Sequence, residues 1–309
     1  MKLFRFSPRS TPVVRRVLLF GPATTSPPIT GPLMKYALFR EAYSEASRIA
    51  QRFGWSSDGV SAARTPGAEA FERYLIGEVV VQLAVFRALA LHGHTFDTVA
   101  GISVGEFAAA HASGVLTLEE SIELVCVMAQ EVGRARGGDL VGVNVSEKRA
   151  RAAIEGMDAV TIVDWPERSV WAVPDSSLPM VEESLRKEGI PFATMGVHCM
   201  PHTDLVDANR FSERVRHIPA RAPTMPLYSS VTGGLVTCAI DTAFWARMCS
   251  SPAMFRAMHD AMHTDGHRDF IHVGSVAVER VMFASFPPRE RPQMVQAARL
   301  LERPRENAT

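Results

Sequence analysis

The chain has 309 residues, 47% hydrophobic and 21% charged, the composition of a globular protein able to bury a large core. Its 33 basic and 33 acidic residues cancel, so no global field directs it to nucleic acid or to an anionic membrane. The four cysteines, Cys126, Cys199, Cys238 and Cys249, form no CxxC pair, which argues against a disulfide framework or structural zinc and for a reducing cytoplasm.

Met1 to Arg16 carries Arg and Lys but no apolar run long enough for a signal peptide. Later apolar stretches are expected to fall short of the ~20 residues of a membrane span, so a cytoplasmic protein is expected. Val13–Phe20 predicts a first strand, ended by the breaker cluster Gly21–Pro28. Apolar spacing predicts helices over Met34–Gly54 and Phe71–His92, the second carried by Leu75, Val79, Leu83, Phe86 and Leu89. Thr98–Ile102 reads as a short buried strand running straight into Ser103, and a helix, Glu106–Ala112, begins at the turn.

From Leu140 the rhythm changes. A strand (Leu140–Val145), a helix (Ser146–Glu155, with Ser146 as N-cap) and two hairpin strands around Pro166 (Val160–Trp165, Val170–Val173) follow one another. A helix (Leu178–Lys187, Gly189 as C-cap) and a strand (Ile190–Thr194) complete a β-α-β-β-α-β order, the split unit of ferredoxin-like domains. The expected architecture is therefore α/β: a large domain, 1–137 and 204–309, interrupted by a ferredoxin-like small domain, 138–203. The α/β pattern resumes with a strand at Pro226–Val231, a Gly233-Gly234 turn, a helix over Thr242–His263 and a strand at Phe270–Val273. Residues 302–309 read as a frayed polar tail.

Strand, then Gly101-Ile102-Ser103-Val104-Gly105, then helix is the context that makes G-x-S-x-G a nucleophile elbow. The glycines flank a strained turn that lifts the serine hydroxyl, and the following helix points free N–H groups at a developing oxyanion, Val104 first. A serine needs a base, and His198 and His202, in the loop leaving the small domain, are both candidates. His259 and His263 have the i, i+4 spacing of zinc ligands, but the segment offers only His267 as a third, so no metal is expected.

The segments GISVGEFAAAHASGVLTLEESIELV, HTDLVD, APTMPLYSSVTGG and VVVQLAVFRALALHG together resemble the malonyl-CoA:acyl-carrier-protein transacylase family, which includes acyltransferase domains of polyketide synthases. The resemblance implies an α/β-hydrolase-like large domain and a ping-pong reaction. Ser103 would attack an acyl thioester and pass the acyl group to the phosphopantetheine of a carrier protein. It implies His202 as the base, with His198 second, oriented by a backbone carbonyl near Ser251. It also implies Val104 and the first loop, at Ala23, as the oxyanion hole, and Gln82 and Met200 among the substrate-pocket residues. No cofactor is expected beyond phosphopantetheine brought by the carrier or by CoA, and the protein is expected to be a monomer.

Three departures from the family pattern bear on the cargo. Met128 stands where malonyl-type enzymes carry the arginine that clamps the substrate carboxylate, Ile102 replaces the histidine before the nucleophile, and Ala23 replaces the glutamine of the first loop. A carboxylate buried beside Met128 and Ile102 would lack partners, at a cost of several kcal/mol. The expectation is a trans-acting acyltransferase for monoacyl, aminoacyl or dipeptidyl groups, with a CoA or carrier-protein donor left open. A thioester hydrolase of the same fold and a catalytically silent docking protein are the alternatives. For an acidic carrier, the candidate docking patches are Lys148, Arg149 and Arg151, and Arg289, Arg291 and Arg299.

Overall fold

A computed structural model describes residues 16–24, 30–56, 67–165, 167–275 and 293–302. Its main sheet is built outward from β1 (Arg16–Phe20), whose last four residues are fully buried. A run of consecutive apolar residues suits a strand covered on both faces, as parallel strands are. β1 pairs in parallel with β2 (Thr98–Gly101) on one side and β9 (Asp269–Val273) on the other. The six-stranded order is β10-β9-β1-β2-β7-β8, with β7 (Leu227–Ser229), β8 (Gly234–Leu235) and β10 (Gln293–Gln296). All neighbours are parallel except β7 and β8, which turn back at Gly233, a residue at φ 70°.

Helices α1 (Ala37–Arg52), α2 (Ala68–Leu91), α3 (Gly105–Ala112) and α4 (Leu118–Arg134) pack around this sheet. A 3-10 turn, Gly31–Lys35, precedes α1, because Tyr36 (ψ 121°) breaks the helix foreseen from Met34. α4 starts with a capping box, Thr117 accepting from the Glu120 N–H and Glu120 from the Thr117 N–H. By length and composition α2 could cross a membrane, contrary to the expectation that no apolar stretch would reach that length. It is nevertheless mostly buried inside the fold, as a core helix is.

The second sheet is antiparallel, ordered β4-β5-β3-β6: β3 (Gly138–Val143), β4 (Val160–Trp165), β5 (Arg168–Pro174) and β6 (Phe192–Thr194). With α5 (Glu147–Ala153) and α6 (Leu178–Lys187) it encloses a separate core around Val141, Trp171, Val173 and Leu185. Ser146 occupies the N-cap position of α5 but makes no side-chain cap bond, so the capping expected of it is absent. Gly189 (φ 64°) follows the C-cap of α6, and Pro166 lies outside the described residues.

The helix predicted over Thr242–His263 is two helices, α8 (Thr242–Ser250) and α9 (Phe255–Thr264). Pro252 is the cause: its ring drives the preceding residue out of the helical region, and Ser251 is extended at φ −130°, ψ 153°. α7 (Ala208–Val215), capped by Asp207, β10 and the short α10 (Ala297–Leu300) were not foreseen in the sequence.

Candidate active site

β2 ends at Gly101 and α3 begins at Gly105, so Ser103 sits on the turn between them at φ 53°. That conformation is costly for a side chain with a Cβ and persists only where its surroundings enforce it. Two glycines do so by close approach. A Cβ on Gly101 would lie 2.7 Å from Glu106 Cα, and one on Gly105 would press on the carbonyl of Phe20. Ser103, His198 and His202 are the non-glycine residues at positive φ among those described.

His202 Nε2 lies 2.9 Å from Ser103 Oγ. Its Nδ1 lies 3.1 Å from the carbonyl of Ser251, and its backbone N–H donates to Cys249 O at 2.9 Å. A carbonyl only accepts, so Nδ1 carries the proton and Nε2 is left to accept from the serine hydroxyl. Pro252 makes this geometry: by ending the helix it leaves the Ser251 carbonyl to face the imidazole. Burial lowers the pKa of His202 below 6.5, opposed by the carbonyls of Ser251 and Met248, so the ring is neutral and able to take a proton at neutral pH.

His198 is placed elsewhere. Its side chain is exposed and its Nδ1 lies 3.8 Å from the buried Asp139 carboxylate. Asp207 caps α7 through the Arg210 N–H, and Asp204 is exposed. Burial pushes the thiols of Cys126 and Cys199 up to about 12 and that of Cys249 well above 9.0, which leaves them un-ionised and inert as nucleophiles.

The amides around the elbow are almost all spoken for. Ile102, Gly105 and Glu106 donate to the carbonyls of Phe20 (3.1 Å), Ile102 (2.9 Å) and Ser103 (2.9 Å), and Ser103 donates to Ser230 Oγ (3.2 Å). The Val104 N–H has no partner among the described residues. In the loop after β1, Gly21 donates to Val273 O and Thr24 to the Tyr74 hydroxyl (2.9 Å), while proline at 22 has no N–H. Among the described residues of that loop, 21–24, Ala23 is the one whose N–H has no partner.

A cavity of about 330 Å³ opens beside His202, lined also by Ser230, Val231, Arg247, Met248 and Met254 among others. Among the described residues no acidic side chain lines it, and Arg247 makes no ion pair. The four residues expected in a substrate pocket are not among its lining. Ile102, Met128 and Met200 are packed into the main core at 0, 3 and 5% exposure, and Gln82 is fully buried. The Gln82 amide instead donates to Gly21 O (2.8 Å) and Glu78 Oε1 (3.0 Å), fastening the first loop to α2.

Of the expected docking residues, Arg151 is tied to Glu147 (2.6 Å) and lies over the Trp171 ring. Arg149 and Arg299 are exposed, whereas Arg289 and Arg291 fall outside the described residues. Sequence reasoning missed Ser230, Arg247 and Met248. Proximity to an X-Pro helix break in the segment after His202 was the available signal for the last two.

Comparison with known proteins places this geometry in a family. The acyl transferase domain model matches residues 30–279, and the chain belongs to that family. It is 24% identical over 260 residues, 81% of its length, to the pikromycin polyketide synthase component PikAII of Streptomyces venezuelae. It spans only 7% of that synthase, a far larger protein. The acyl transferase domain of SpnD, solved in complex with 2-(pent-4-yn-1-yl)malonyl, superposes with a TM-score of 0.80 at 20% identity, covering 95% of this chain and 75% of that one. Malonyl CoA-acyl carrier protein transacylase from Clostridium perfringens gives 0.76 at 16% identity, covering 93% and 95%. The fold is thus that of the transacylases and of polyketide-synthase acyltransferase domains.

Proposed function

We propose that this chain transfers an acyl group without a free carboxylate from a thioester donor, through an ester on Ser103, to the phosphopantetheine thiol of an acyl carrier protein. The observation that carries the reading is the Ser103 Oγ–His202 Nε2 contact at 2.9 Å, with His202 locked in the right tautomer by Ser251 O. In this reading His202 takes the hydroxyl proton as Oγ attacks the thioester carbonyl. The Val104 and Ala23 N–H groups receive the developing oxyanion. The protonated His202 then releases the donor thiol, and the carrier thiol repeats the steps in reverse.

The choice of cargo rests on the resemblance: the position it matches to a carboxylate clamp is Met128, which is apolar and packed into the main core rather than on the described cavity wall. The next arginines along the chain, Arg134 and Arg136, are bound to Glu131 (2.8 Å) and to Gly133 O (3.1 Å). Arg149 and Arg299 are the exposed cations for an acidic carrier.

Intact-mass spectrometry after incubation with acyl thioesters tests the reading. A monoacyl adduct should form, vanish in Ser103→Ala and discharge onto a separately supplied holo carrier protein. Release of free acid without a carrier would make the protein a hydrolase, and no adduct with any thioester would make it a docking protein. Malonyl thioester should load more poorly than monoacyl thioesters. If wild type loads malonyl faster than monoacyl groups, Arg247 rather than the Met128 position reads the cargo, and the proposed selectivity fails.

A further inference from the structure

Among the elbow amides, that of Ser103 ends on a side chain, and that side chain is itself held. Ser230 Oγ accepts the Ser103 N–H at 3.2 Å and donates its own hydrogen to Glu106 Oε1 at 2.7 Å. The same carboxyl oxygen takes the Ser230 N–H at 2.7 Å. Three stretches of chain meet here: the end of β2, the first turn of α3 and the segment after β7. Ser230 and Glu106 are each 1% exposed, so no bulk water competes for these bonds.

The direction of the relay is forced. A backbone N–H can only donate, so Ser230 Oγ must accept from Ser103, and its single hydrogen then goes to Glu106. Burial pushes the Glu106 carboxyl up to about 8, but Oε1 accepts in either protonation state. Ser103 needs such an anchor because it stands at φ 53°. If the peptide before it tilted, Oγ would leave the 2.9 Å contact with His202 Nε2.

We propose that Ser230, oriented by Glu106, is a positioning residue for the Ser103 peptide. It holds the amide of the nucleophile's own residue, so that Oγ stays on His202 and the Val104 N–H stays free for the oxyanion. Removing the hydroxyl leaves a buried N–H without a partner in a peptide that is already strained. The loss falls on the reacting geometry rather than on ligand binding.

This inference rests on Ser103 being the nucleophile, and the test separates the two. The probe is an alkyl fluorophosphonate, whose phosphorus is attacked by an activated serine with loss of fluoride and which needs neither acyl group nor carrier. Ser230→Ala should lower the maximal labelling rate about tenfold, the size of one lost buried hydrogen bond felt at the barrier. The half-saturating probe concentration should stay within about twofold, since a positioning defect lowers turnover without weakening binding. Ser230→Thr, which keeps an oxygen at that place, should recover most of the rate. Equal maximal rates for wild type and Ser230→Ala, or a loss that threonine does not recover, overturn the proposal. Wild type that fails to label, or labelling that survives in Ser103→Ala, overturns the nucleophile reading instead. If Ser230→Ala is too unstable to assay, Ser230→Val against Ser230→Thr makes the same comparison at constant shape.

Discussion

Replacing Gly105 by alanine sets two effects of opposite sign against each other. Gly105 is the first residue of α3 and its φ is not positive, so alanine is conformationally acceptable there. Helix propensity alone would favour it by about 1 kcal/mol. The space says otherwise. The new Cβ would press on Phe20 O, lie 2.7 Å from Phe20 C and lie 2.8 Å from Gly21 O, where ordinary contact begins at 3.4 Å. These are backbone atoms of β1 and the loop after it, and they cannot swing aside as a side-chain end would. Relieving the overlap costs about 1–3 kcal/mol on the scale of overpacked cores. Sterics should therefore win by about 1 kcal/mol, lowering Tm by about 1–2 °C in a chain of this size. The larger effect should be on activity. The atoms displaced carry the Ile102 N–H bond and the Gln82 bond, and they set the position of the Ala23 N–H. Acyl loading should fall at least about tenfold, since displacements well under 1 Å already misalign reacting groups. Differential scanning fluorimetry and intact-mass loading kinetics read the two quantities. A variant as stable as wild type with unchanged loading would show that the elbow is not wedged against β1.

His202→Ala should abolish loading while His198→Ala leaves most of it, measured by adduct formation with a monoacyl thioester; the opposite result would move the base to His198. Because burial lowers the pKa of His202, the acid limb of the loading rate should lie below pH 6.5. Glu78 gives a stability test. Burial raises its carboxyl to about 7 from an ordinary 4.5, so its stabilising contribution is full below pH 4.5 and is lost as pH rises through 7. The span corresponds to about 3 kcal/mol. Glu78→Gln should therefore match wild type in Tm near pH 4.5 and exceed it by pH 8, and a constant difference across that range would refute the assignment.

What could be read in the sequence was what is local along the chain. The elbow is five consecutive residues between a strand and a helix, and periodicity places all of them. The order of the small antiparallel sheet is likewise carried by short hairpins and crossovers. The Ser103–His202 pair spans 99 residues, and only resemblance, not spacing, singled out His202 over His198. The break at Pro252 was readable from the rule for residues before proline, yet continuous apolar spacing across it suggested one helix. The Ser103–Ser230–Glu106 relay was not readable at all, because it closes across 124 residues and rests on commonplace side chains. Ile102 and Met128, assigned from the resemblance to the acyl pocket, are core residues outside the lining of the cavity beside His202, which the α8–α9 junction, Ser230 and Val231 provide.

That junction also touches the second sheet. The Ala253 N–H donates to Ile162 O at 2.8 Å, and Arg256 pairs with Asp164 at 2.8 Å, so the chain just past Pro252 is fastened to β4. Ala253 and Met254 form part of the cavity wall. Ser103 and its amide anchors stand on the large sheet, whereas a wall of the cavity beside His202 is moored to the small one. Changes in β4 can thus reshape what the cavity admits while leaving Ser103 and the strands beneath it untouched. The same junction carries the Ser251 carbonyl that orients His202, so a shift passed through β4 reaches the cavity wall and the imidazole together, while the elbow stays on the other sheet.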